Sequence, residues 1–121
     1  LYDRFTRGEA LTPQEAQVLL PEREEFAALW RWLVRQSAAG GPVEDALPRI
    51  ARSVSRFAGR REAPVRTMLC LEVMEERGLL ALTRRTDRLQ IMVQTPAQKV
   101  DLNASPILLR LRSQLYPNKE S

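Results

Sequence analysis

Residues 64–93 read PVRTMLCLEVMEERGLLALTRRTDRLQIMV, and the hydrophobic period changes once within them. Pro64 suits the first turn of a helix, where its missing N–H is no loss. Gly78 suits the position just past the end, where a left-handed residue closes the last turn. Between them Val65, Met68, Leu69, Cys70, Leu71, Val73 and Met74 spread around most of the helix circumference. That spread predicts a helix buried on several sides. After Gly78 the period becomes two. Leu80 and Leu82 alternate with Ala81 and Thr83, and Leu89, Ile91 and Val93 alternate with Gln90 and Met92. Arg84-Arg85-Thr86-Asp87-Arg88 lies between the two runs, so the segment reads as a β-hairpin with a charged tip.

Upstream the pattern is helical. Phe26, Leu29, Trp30 and Leu33 fall at i, i+3, i+4 and i+7, which predicts an amphipathic helix from Pro21 to about Gln36, ending before Gly40-Gly41. Trp32 and Val34 lie off that face and are expected to pack on the N-terminal segment or on a further domain. Pro42 to Phe57 is a second helical stretch with Ile50, Val54 and Phe57 inward. Pro48 interrupts it, so a short turn over Val43–Leu47 and a proper helix from Pro48 are expected, stopped by Gly59. Residues 1–12 show little periodicity. Thr12, Pro13 and Glu15 then form a capping-box signature for a short helix through Val18, which Leu20-Pro21 breaks. Past Pro96, which ends the second strand, Ser105-Pro106 opens a last helix with Ile107, Leu108, Leu111 and Leu115 as its stripe, and the tail after Tyr116 is expected to fray.

The expected fold is therefore mainly α with a small β-hairpin. It is winged-helix-like, a helix-turn-helix plus a wing, with extra N- and C-terminal helices. The expected divisions are 1–20, an N-terminal lead-in and short helix; 21–95, the winged-helix-like core; and 96–121, a C-terminal extension and helix.

Composition narrows function mainly by what is missing. The 121 residues include no histidine, which removes imidazole bases and His-ligated zinc. Cys70 is the single cysteine, so an intrachain disulfide is impossible, and the thiol reads as a small buried hydrophobe. No Gly-rich phosphate loop is present. No apolar run approaches the ~20 residues that span a bilayer, and no signal peptide is visible. A cytoplasmic location is expected. The sequence starts at Leu1 rather than Met, so a piece of a longer chain is expected. By itself it is expected to be non-catalytic, with no cofactor or metal of its own.

The net charge is +4 and the pI about 10, and all but two of the 19 basic residues are arginines. Arginine makes planar, bidentate contacts with phosphate and carboxylate. A genome rich in G and C also favours it. Arg49, Arg52 and Arg56 are spaced three and four apart, which places them on one helix face. Arg60, Arg61 and Arg66 follow within ten residues, and Glu62 is the only acid among the six. Arg84, Arg85 and Arg88 at the hairpin tip are a second basic site. These nine arginines are the candidate contacts for nucleic acid or an acidic partner. The alternatives are a solvated helix face and, at the tip, charges that protect edge strands. Helix 64–78 is poorly built to read bases, because Glu72, Glu75 and Glu76 oppose Arg66 and Arg77 and phosphate would repel them.

Three segments resemble a known family: Pro21-Glu22-Arg23-Glu24-Glu25-Phe26 leading into Leu29-Trp30-Arg31-Trp32-Leu33; Leu69 through Leu79; and Lys99-Val100-Asp101-Leu102 running to Ser105-Pro106 and Leu109-Arg110-Leu111-Arg112. Together they look like the C-terminal domain of RecJ-type single-stranded-DNA-specific exonucleases of Firmicutes-like bacteria, over roughly residues 20–115. The resemblance implies a parent 5′-to-3′ exonuclease of the DHH phosphoesterase superfamily, bacterial and cytoplasmic. The parent would use Mn²⁺ or Mg²⁺ held by Asp and His in an upstream catalytic domain. No part of that site maps here, since the motif needs histidine. What remains is binding, either of single-stranded DNA along the arginine face or of the acidic, hydrophobic-ended tail of the single-stranded-DNA-binding protein. Such a tail needs cations beside an apolar pocket, and the sequence does not locate the pocket. The competing readings are a winged-helix domain of a transcription regulator and a purely structural packing domain.

Overall fold

The computed structural model describes residues 2–38, 40–60, 62–94 and 99–115. Among these described residues six helices and three strands follow one another: α1 (Tyr2–Thr6), α2 (Pro13–Leu19), α3 (Arg23–Ser37), β1 (Val43–Asp45), α4 (Leu47–Ser53), α5 (Ala63–Glu76), β2 (Leu80–Arg84), β3 (Leu89–Val93) and α6 (Pro106–Leu115), with a 3-10 turn at Leu102–Ala104. The fold is mainly α with one small antiparallel sheet of order β1-β3-β2. Among the described residues no helix is long and apolar enough to cross a membrane.

The centre of the molecule is α5. Six consecutive residues, Arg66 to Leu71, are buried, and at 3.6 residues per turn that leaves its middle with no solvent face. Its two sides hold two cores. Phe26, Leu29, Leu33, Ile50, Val54, Phe57, Leu80 and Ile91 pack around Cys70, Leu71 and Met74. Phe5, Leu11, Ala16, Leu19 and Leu111 pack around Leu69. Gly78 (φ +80°) ends the helix as expected, and Leu79 N–H returns to the Met74 carbonyl at 2.9 Å.

The expected hairpin forms, with Leu82 opposite Ile91 and Leu80 opposite Val93. It is also part of a larger sheet, because Val43–Asp45, expected as a turn, is a strand. Val43 pairs with Ile91 and Asp45 with Leu89. Gly40 and Gly41, both at positive φ (93° and 84°), bend the chain so that it can return alongside β3. The helix from Pro48 is also shorter than expected. α4 ends at Ser53, Val54 is extended (φ −102°, ψ 116°), and a turn carries Phe57 inward through Phe57 N–H to the Val54 carbonyl at 2.9 Å. Both Val54 and Phe57 reach the core this way.

The lead-in is not structureless either. α1 lays Phe5 under Arg110, whose guanidinium carbon is 3.7 Å from the ring centre and whose Nη2 donates to the Phe5 carbonyl. α2 carries the expected capping box, with Thr12 N–H donating to Glu15 (2.9 Å) and Glu15 N–H to Thr12 Oγ1 (3.2 Å). α3 begins two residues later than expected, at Arg23, with a buried Pro21 ahead of the cap. The expected strand end at Pro96 and the tail after Tyr116 lie outside the described residues.

Candidate docking groove and arginine surfaces

The structure sorts the candidate arginines into three groups. Arg66 is turned inward: Nε and Nη2 form a fork on Glu25 (3.0 and 2.5 Å) and Nη1 donates to the Val18 carbonyl (2.5 Å). Glu25 is completely buried and also accepts from Arg60 (3.0 Å) and from Glu22 N–H (2.7 Å). Every acceptor position is used, which is the condition for a buried carboxylate to persist. Arg60 divides itself between Glu25 and Glu22, and its hydrogen bond and charge hold the Glu22 carboxyl below the usual carboxylate range. Both arginines therefore tie the end of α2 and the start of α3 to α5 and its approach, and Arg66 is not a surface cation.

Arg84 is engaged differently. Its Nη2 donates to Glu72 Oε2 at 2.9 Å, and the Tyr2 hydroxyl donates to the same oxygen at 2.7 Å. Burial, then the Glu72 bond and charge, push the Tyr2 phenol well above its ordinary value.

The remaining group stays exposed. Arg49 is 3.7 Å from Asp45, and Arg88 is 3.8 Å from Glu44 and 3.5 Å from Asp87, all long, solvated pairs. Arg52, Arg56 and Arg85 have no carboxylate within 4 Å among the described residues. Because α4 stops at Ser53, Arg56 does not share a helix face with Arg49 and Arg52. β1 sets Asp45 beside Arg49 of α4 and Glu44 beside Arg88 of the hairpin, so each of the two basic sites meets one carboxylate of the same strand. Arg61 lies outside the described residues.

A feature that sequence reasoning missed is a groove of about 620 Å³ between α3, the end of α5 and the chain leading into α6. Phe26, Ala27 and Trp30 form one wall, Met74, Leu79 and Leu108 the floor, and Val100 and Leu102 the other wall. Two guanidiniums, Arg23 and Arg112, line it against one carboxylate, Asp101. The wall at 100–103 is braced. Arg77 Nε donates to the Asp101 carbonyl (3.2 Å), Asp101 accepts from Asn103 N–H (2.9 Å), and Arg112 Nη2 donates to Asn103 Oδ1 (2.7 Å). Glu76 accepts from Ser105 Oγ (2.5 Å) and Ile107 N–H (3.3 Å), which places a carboxylate at the positive end of α6. The groove residues come from three separate stretches of the chain, so no local pattern announced them; Trp30 was legible only as part of the apolar face of its helix.

Cys70 is fully buried and its thiol is pushed up, by desolvation first and then by Glu25. Among the described residues no group of three or more His, Cys, Asp or Glu side chains is placed to hold a metal ion. Comparison with protein-family models, with curated proteins and with solved structures gives no match to this chain.

Proposed function

We propose that this chain is a non-catalytic accessory domain of a bacterial, cytoplasmic, single-stranded-DNA-specific exonuclease of RecJ-like type, acting 5′ to 3′. Its role is to dock a replication or repair partner through an acidic chain end that finishes in an apolar residue, such as the tail of the single-stranded-DNA-binding protein. The observation that carries this reading is the groove. Its apolar walls suit the terminal side chain, and Arg23 and Arg112 suit the carboxylates beside it. The order helix, strand, helix, helix, hairpin from α3 to β3, with sheet order β1-β3-β2, supports a winged-helix plan for the core. The upstream catalytic domain would supply the Mn²⁺ or Mg²⁺ chemistry.

The same plan in a transcription regulator sends the helix before the wing into the major groove. Burial of Arg66 to Leu71 on all sides of α5 argues against that use.

The test is a titration with an acidic peptide ending in Pro-Phe, read by tryptophan fluorescence. Saturable binding is expected. Trp30→Ala, or Arg23→Glu with Arg112→Glu, should weaken it about fivefold or more, since truncating a central anchor typically costs over ~1 kcal/mol. Binding that ignores both changes would remove the groove from the argument.

A further inference from the structure

We propose that Glu75 guards the open edge of the sheet. Its carboxylate occupies the central backbone donor of β2 and so keeps that edge from pairing with the same edge of a second copy of the chain. The phase of the hairpin decides which groups are open. Gln94 N–H donates to the Leu79 carbonyl (2.9 Å) at one end of the β2–β3 pair, and Arg85 N–H to the Arg88 carbonyl (2.9 Å) at the other. Odd-numbered residues of β2 therefore bond to β3, and Leu80, Leu82 and Arg84 turn their N–H and C=O groups outward. Among these, Leu82 N–H donates to Glu75 Oε2 at 3.0 Å. Glu75 stands in the last turn of α5, seven residues before Leu82, and the turn at Gly78 brings β2 back past it. Glu72, one turn earlier, holds the Arg84 side chain (2.9 Å) and the Tyr2 hydroxyl (2.7 Å) beside the same strand.

The two edges of the sheet are closed by different means. β1 has three residues, of which Glu44 alone turns outward. Ala46, which follows, has its N–H on Asp45 Oδ1 (2.8 Å) and its carbonyl on the N–H groups of Arg49 and Ile50. No strand can extend along that edge. β2 is longer, and its first four residues, Leu80, Ala81, Leu82 and Thr83, carry no charge and no proline. Such a strand is a template for edge-to-edge pairing unless something blunts it.

A second copy brings the matching edge at the chain's own concentration. Antiparallel pairing about a two-fold axis through Leu82 sets Leu82 against Leu82 of the other copy and Ala81 against its Thr83. Apolar side chains then meet on the inner face and small ones on the outer. The Glu75 carboxylate fills the place of the incoming carbonyl, so the pair forms only when that bond is lost. The device is separate from the groove, whose lining includes neither Glu75 nor any residue of β2.

The experiment is sedimentation velocity across the micromolar-to-millimolar range in which open strand edges associate. The native chain and Glu75→Gln, which keeps an acceptor oxygen, should sediment as one copy of 13.9 kDa. Glu75→Ala should rise toward twice that mass with concentration. Adding Ala81→Lys and Thr83→Lys to Glu75→Ala should return it to one copy, because the two exposed positions then oppose like charges across the pair. Glu75→Ala that stays single throughout overturns the proposal. So does a native chain that dimerises as readily as Glu75→Ala, or a dimer that the lysines leave intact. Should Glu75→Ala fail to fold, amide exchange decides. The Leu82 amide of the native chain and of Glu75→Gln should exchange about fivefold more slowly than that of Arg84, the protection of one net hydrogen bond. Equal rates would overturn the guard.

Discussion

Arg66 and Arg56 are ten residues apart and indistinguishable by type, yet the fold gives them opposite surroundings. Arg66 sits where α5 faces the start of α3, and the carboxylate it meets, Glu25, is sealed from water. Removing one member of such a pair leaves an uncompensated charge. Arg66→Met should therefore cost about 3 kcal/mol of unfolding free energy, with Arg60 limiting the damage. Glu25→Leu combined with Arg66→Met should cost much less than the sum of the two single changes. Strict additivity in denaturant titrations would show that the pair is not coupled. Burial decides this outcome, and it is a long-range property. A run of arginines is visible in sequence, but which of them meets a buried glutamate 41 residues away is not.

Elements differ in how legible they were. The hairpin, α5 and α6 were readable because each carries its own period and a proline or glycine at one of its ends. β1 was not, since only Val43 of its three residues faces the core and one residue makes no alternation. α1 was unreadable for a similar reason: it is one turn and a half long, and what fixes it lies far away, at Glu72, Arg84 and Arg110. That docking predicts an alkaline transition. The folded state holds the Tyr2 proton more tightly than an unfolded tyrosine, whose pKa is about 10. Its contribution is therefore complete below about pH 10 and is lost as the pH rises further, because the unfolded chain gives up the proton first. Tyr2→Phe should remove that part of the slope and cost about 1 kcal/mol at neutral pH through the lost hydrogen bond. If thermal unfolding of Tyr2→Phe keeps the native alkaline slope, the hydroxyl is not what holds α1.

At the scale of the whole molecule, two surfaces share exposed guanidiniums and differ in shape and in apolar content. The groove is half-open, more apolar than polar, and bounded by segments braced through Arg77, Asn103 and Ser105. The other surface is open, cationic and without an anchor, and it is carried by β1, α4 and the hairpin tip. A ligand in the groove touches α3, α6 and the 100–103 wall; single-stranded DNA on the exposed arginines, the other ligand that the resemblance implies, touches none of these. The two should therefore bind together without competition, and the salt dependence of each should be its own. Raising salt from about 50 to 200 mM should release an oligothymidylate held there at three to five contacts by roughly twenty- to a hundredfold. The acidic peptide, held partly by its apolar end, should lose less. The check is a titration of peptide into the preformed complex with the labelled oligonucleotide. Unchanged peptide affinity and retained anisotropy fit two independent sites. Mutual displacement would mean one shared cationic site, and the roles of Arg23 and Arg112 would have to be merged with those of Arg52 and Arg56.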